Sequence, residues 1–309
     1  MDINRTNMQA LFTGYNMIFR DAFATLVKDQ TFMRFTQEVN ASTAQIDMPL
    51  LEQLSGMREW IDGRQIKNLR SDKLSIRARN FEDTVGVKRE DVEDDQYGLY
   101  NSLFANMAAN AANLGPDLAN ALLGDPSKAK WLDGADFFAT GTTRKYGKNA
   151  IVNKGTAELS YESFNETYAT MRAYKGHAGD LLHVKPTLLL HGPALRVEAA
   201  DLIKSPIRVV PIKNDGNVAA AVTLPNPNAN LVDTLEMDGI NGRDWYLVDA
   251  SKPFKPLILF MRKRPDRLVR IDREEDGEVF MNRQFTYGTY GRAEIALAMP
   301  HLIYWNKVA

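Results

Sequence analysis

The chain has 309 residues, 44% hydrophobic and 25% charged, with 38 Lys and Arg against 39 Asp and Glu for a net charge of -1. At roughly 150 residues per domain this predicts about two domains or one large one, and so average a composition excludes disordered, collagenous and coiled-coil chains. Near-neutrality argues against a protein whose main task is wrapping nucleic-acid phosphates. The lack of cysteine excludes disulfides, thiolate nucleophiles, Cys-type zinc sites and iron-sulfur clusters.

The opening Met1-Asp2-Ile3-Asn4-Arg5-Thr6-Asn7 has no signal-peptide apolar run, and no stretch of ~18 apolar residues occurs, so a soluble protein folded without a membrane step is expected. Leu11, Phe12, Tyr15, Ile18, Phe19, Phe23 and Leu26 recur at spacings of three and four, predicting an amphipathic helix over 8–27 capped by Thr6 or Asn7. Residues 31–46 read as an extended arm with a short strand, and Met48 to Leu54 as a short helix. Leu74, Ile76 and Ala78 alternate with Lys73, Ser75, Arg77 and Arg79, the period of a strand with one apolar and one basic face. With a turn at Asp62-Gly63, this makes a long hairpin or loop. Its bases are Arg58, Arg64, Lys67, Arg70, Lys73, Arg77 and Arg79, and the next stretch reverses sign with Glu82, Asp83, Glu90, Asp91, Glu93, Asp94 and Asp95.

Leu99, Tyr100, Leu103, Phe104, Met107, Ala111 and Leu114 fall on one helical stripe, and the acids from Glu90 to Asp95 precede it, where the helix macrodipole favours negative charge. Gly115-Pro116 is expected to kink or break this helix, with Pro116 opening a second piece that stops at Gly124-Asp125-Pro126. Further on, helices are predicted at 161–175 and 193–204, and a buried strand at 187–190. Asn214-Asp215-Gly216-Asn217 marks a hairpin between strands 207–212 and 218–224. Additional strands are expected at 231–237, 245–248, 257–261, 279–287 and 293–297, which makes the fold class α+β.

The motifs carry little chemistry. In the tract Gly141 to Lys148 five residues separate the glycines and Asn149 follows the Lys, against the geometry of a phosphate-binding loop. His177, His183, His191 and His301 lack metal-ligand spacing, Ser127 to Lys130 lacks the companion motifs of a Ser-x-x-Lys enzyme, and no Gly-x-Ser-x-Gly elbow exists. No metal and no cofactor are assigned. Two-faced charge in adjacent segments points to assembly between copies, a basic loop of one docking on an acidic face of the next. The rival from another class is a hydrolase using an unmarked Ser with His183 or His191.

Three runs are more specific: Met8-Gln9-Ala10-Leu11-Phe12-Thr13-Gly14-Tyr15, Met57-Arg58-Glu59-Trp60-Ile61-Asp62-Gly63-Arg64, and Asn80 through Asp95. Together with Lys185-Pro186-Thr187-Leu188-Leu189-Leu190 before Pro193-Ala194-Leu195, and Trp245-Tyr246-Leu247-Val248-Asp249 before Lys255-Pro256-Leu257-Ile258, they resemble the major head subunit of Mu-like phages and prophages, the gpT family. The resemblance implies a major capsid protein of the Hong Kong 97 type, not an enzyme, that self-assembles as pentamers and hexamers into an icosahedral head around double-stranded DNA. It implies an N-terminal arm at 1–45, an E-loop region at 46–82, a P-domain with a long spine helix at 83–130, an A-domain at 131–262 and a return to the P-domain at 263–309. Leu99, Leu103, Met107 and Leu114 become the buried stripe of the spine. The seven bases become intersubunit contacts of the E-loop, with the seven acids as their candidate partners. Portal, scaffold and decoration proteins are implied partners, DNA is contacted weakly and without sequence specificity, and no membrane is involved. The implied location is the virion capsid, made and assembled in the bacterial host cytoplasm. A nanocompartment shell of the encapsulin kind, with the same fold, is the alternative.

Overall fold

The computed structural model describes residues 5–49, 73–94, 98–131, 134–141, 145–146, 149–176, 179–214, 217–273 and 276–308. In chain order the elements are α1 (Arg5–Lys28), β1 (Thr36–Asn40), β2 (Gln45–Pro49), β3 (Lys73–Arg77), β4 (Arg79–Lys88), α2 (Arg89–Asp94), α3 (Leu99–Gly124), β5 (Lys145–Tyr146), β6 (Asn149–Ala150), β7 (Lys154–Gly155) and α4 (Tyr161–Arg172). They continue with β8 (Leu188–His191), α5 (Arg196–Ile203), β9 (Ile207–Asn214), β10 (Asn217–Pro225), β11 (Asp233–Glu236), β12 (Trp245–Val248), β13 (Leu257–Lys263), β14 (Val269–Ile271), α6 (Gly277–Asn282), β15 (Gln284–Leu297) and β16 (Ile303–Asn306).

Two larger sheets organise the chain. In the first, β1 runs parallel to β13 and β13 antiparallel to β15. The long β15 also pairs with β14 on the β13 side and with β4 along its other edge, from Gln284↔Lys88 to Ala293↔Arg79. In the second sheet the order is β11-β8-β12-β16-β7. Its central strands β8, β12 and β16 are buried at every residue. Because strand side chains alternate, Leu189, Trp245 and Leu247 enter one core while Leu188, Leu190, Tyr246 and Val248 enter another on the opposite face.

Helices α1 and α3 cover one face of the first sheet. Tyr15 stacks on Phe104 at 4.3 Å between ring centroids, and Phe104 meets the edge of Tyr287 on β15 at 5.2 Å. The far end of α3 is held by the 237–242 loop. Gly239 donates its N-H to Asn120 Oδ1 at 3.1 Å, and a Cβ there would lie 2.3 Å from the Asn120 carbonyl oxygen, so only glycine allows this approach.

Several expectations are corrected. Helix α3 is continuous through Pro116 rather than broken there. Proline cannot serve the Ala112 carbonyl four residues back, and Gln30 Nε2 serves it instead at 2.6 Å. The stripe is also rotated: Phe104, Met107, Ala108, Ala111, Ala112, Leu118 and Leu123 are buried, Leu103 and Leu114 are half-buried at the margin, and Leu99 is 70% exposed because it opens the first turn. Met48 belongs to β2, not to a helix, and 50–54 lie outside the described residues. Residues 279–282, expected to open a strand, belong to α6. Arg283, at φ 49°, ends the helix, and the two predicted strands beyond are the single β15. The acids before α3 form their own short helix α2, and the first turn of α3 carries none.

Candidate functional site

The basic hairpin exists as a stem. Strands β2 and β3 pair antiparallel with Ile46↔Ile76 and Met48↔Leu74 opposed, and these four turn to the main core. The alternate face is polar. Asp47 accepts hydrogen bonds from Gln45 Nε2 at 3.0 Å and Ser75 Oγ at 2.7 Å, and with Lys73 nearby these hold its carboxyl below the usual carboxylate range. Lys73 and Arg77 are exposed on this stem. Arg58, Arg64, Lys67 and Arg70 lie outside the described residues.

Arg79 is exposed, as expected of the outward face, and also meets a partner in its own subunit. Its guanidinium makes a two-point bond to Glu294 on β15, with Nη2 to Oε1 at 3.0 Å, and sits over Phe81 at 5.4 Å. The Glu294 partner raises its pKa, so this cation is engaged within its own subunit. Among the acids, Asp83 is likewise engaged internally, accepting from Asn110 Nδ2 of α3 at 3.2 Å. Glu82 accepts from Thr84 Oγ1, and Glu90 pairs with Arg283 at 3.1 Å. Asp91 and Asp94 are exposed on α2. Asp95 lies outside the described residues, and of Glu93 only the backbone is described.

The geometry separates the two charge groups. β4 runs between them as ten extended residues, about 30 Å at the usual rise per residue. Helices cover the Asp83 side of the first sheet, whereas Val269, Ile271 and Tyr290 on its other face remain substantially exposed. Sequence reasoning missed Glu294 and Asn110, because nothing local marks a partner that only the sheet and α3 bring close.

Among the described residues no group of three or more His, Asp and Glu is placed to hold a metal, and no helix is long and apolar enough to cross a membrane. β5 and β6 form a small antiparallel pair rather than the strand-loop-helix of a phosphate loop. The buried His191 has its Nδ1 2.9 Å from the Gly192 carbonyl oxygen.

The profile of the Mu-like prophage major head subunit gpT family matches residues 8–154 and 219–309. The chain belongs to this family. It is 24% identical over 306 residues to the major capsid protein of Escherichia phage Mu, covering 97% of this chain and 75% of that one. It is 24% identical over 288 residues to the Mu-like prophage FluMu major head subunit of Haemophilus influenzae, covering 93% and 69%. A subunit of the bacteriophage JBD30 procapsid superposes with a TM-score of 0.61 at 24% identity, over 99% of this chain and 77% of that one. The fold is therefore the α+β capsid fold of the Hong Kong 97 type, and a gpT-family chain is a structural subunit of a phage or prophage head.

Proposed function

We propose that copies of this chain close into pentamers and hexamers of an icosahedral head that encloses double-stranded DNA, and that its role is mechanical rather than catalytic. The carrying observation is the segregation of charge: Lys73 and Arg77 stand on the β2–β3 stem while Asp91 and Asp94 stand at the far end of β4. That distance favours pairing between subunits, where one copy's stem meets the next copy's acids and the heterologous contact closes a ring. The regions 1–45, 46–82, 83–130, 131–262 and 263–309 act as arm, E-loop, P-domain, A-domain and return. Within this scheme β16, although near the C-terminus, reinforces the A-domain sheet through β12. Portal, scaffold and decoration proteins are the further partners, and near-neutral charge suits a wall that contains DNA without gripping it.

A charge exchange tests this. Lys73→Glu with Arg77→Glu should leave the subunit's circular dichroism and melting unchanged while suppressing shell formation, and adding Asp91→Lys with Asp94→Lys should restore it. Normal assembly of the first variant, or no restoration by the second pair, would sink the ionic contact.

A further inference from the structure

The β9–β10 hairpin belongs to neither large sheet. Its base is fixed: Asn226 Nδ2 donates to the carbonyls of Leu202 and Ser205, both at 2.9 Å, and the Arg208 guanidinium sits 4.0 Å from the centre of the Tyr161 ring. Next to that base the hairpin exposes apolar side chains on both faces. Ile207 and Val209 are 51% and 66% exposed, Val222 and Leu224 41% and 39%. The register sets Val209 opposite Thr223 and Arg208 opposite Leu224, so Val209 and Leu224 lie on opposite faces. A two-stranded sheet with both faces in water is marginal alone, and its edges present unpaired backbone groups.

The two edges differ. β9 carries Arg208, Pro211 and Lys213, residues that blunt an edge against pairing. β10 reads Asn-Val-Ala-Ala-Ala-Val-Thr-Leu-Pro, without one charged residue and with proline only at its end. β9 also falls within the stretch that the family profile leaves unmatched, between 154 and 219.

We propose that this hairpin is a self-association element: the β10 edge of one copy adds to the β10 edge of a second copy, extending the sheet across the subunit boundary and flanking Val222 and Leu224. The occupant is a second copy because the missing partner is a strand edge with apolar flanks on both faces. Another hairpin of the same chain supplies both, and head subunits meet copies of themselves on every side within a closed lattice of capsomers. The inference rests on the head-subunit reading.

Val222→Lys with Leu224→Lys places two charges beside the edge. Subunit circular dichroism and melting should hold, while the fraction sedimenting as shells should drop about tenfold, as charges beside an edge oppose pairing. The chain has no cysteine, so Thr223→Cys gives one thiol per subunit. Two adjoining hairpins place these thiols within about two strand spacings, ~10 Å. A bismaleimide of that reach should yield covalent dimers in assembled particles, with the linked peptides covering 206–226 from both chains. Unimpaired assembly of the Lys variant, no dimer, or a link to another protein would overturn the inference. If the unmodified chain forms no shells under any condition, it is the head-subunit reading that fails, and the two failures are told apart.

Discussion

Pro116 shows how one residue's defect is repaired by a residue far away in sequence. The Ala112 carbonyl it abandons is bonded by Gln30, which comes from the turn between α1 and β1. Gln30→Leu should cost about 1–3 kcal/mol, the penalty of a half-buried acceptor left unpaired. In a Pro116→Ala background the cost should largely vanish, because residue 116 then offers its own N-H. Urea unfolding of the four variants measures this cycle, and equal costs in both backgrounds would refute it. His301 carries a second residue-scale consequence. Burial pushes its pKa down from 6.5 to about 4, against the pull of Asp249 and with the help of Lys252. The unfolded chain takes the proton near pH 6.5 and the folded chain only near 4, so stability is full above 6.5, falls between these values and levels off below. This window is worth about 3 kcal/mol by linkage. His301→Gln should flatten that part of the stability-pH curve, whereas an unchanged slope would mean the imidazole is not the group responsible.

The spine helix is legible in kind from its apolar spacing, but its buried phase is not. Apolar spacing of three and four marked 99–114, but the stripe pattern gave large side chains more weight than alanine. The buried line runs through Phe104, Ala108, Ala111 and Ala119, where small residues allow α1 and the sheets to approach. Phe104→Ala should therefore cost about 3–5 kcal/mol, Leu103→Ala clearly less, and Leu99→Ala within about 0.5 kcal/mol. Thermal melts of dissociated subunits check the order, and a Leu99 effect as large as that of Phe104 would contradict it. Strands with local signals were readable: β9 and β10 flank Asn-Asp-Gly-Asn, and β8 is a leucine run. β16 escaped because Ile303-Tyr304-Trp305-Asn306 is buried at every position and shows no alternation. The α6–β15 boundary escaped because α6 is only six residues long, too short to show a helical period.

For the whole molecule, sequence alone exposed the segregation of charge but not its internal sinks. Arg79 finds Glu294 215 positions away and Asp83 finds Asn110 27 positions away, pairings that exist only once β15 and α3 are in place. With Arg79, Glu82, Asp83 and Glu90 each meeting a partner in their own subunit, the charges of the two groups left without one among the described side chains are Lys73 and Arg77 against Asp91 and Asp94, all exposed. Exposed pairs contribute ~0.2–1 kcal/mol each, so Arg77→Ala alone should shift the concentration needed for assembly only slightly. In a ring, every subunit gives and receives the same contact, and the small terms add around the closed circle. Lys73→Glu with Arg77→Glu turns each contact from attraction to repulsion, twice the change of neutralisation. Screening then sets the salt dependence: the Debye length shrinks from about 30 Å at 0.01 M to about 10 Å at 0.1 M. The assembly defect of this double variant should be greatest at low salt and recede as salt rises, while native assembly weakens over the same range. Light scattering across a salt series measures both, and a defect that does not change with salt would mean that Lys73 and Arg77 act through packing rather than charge.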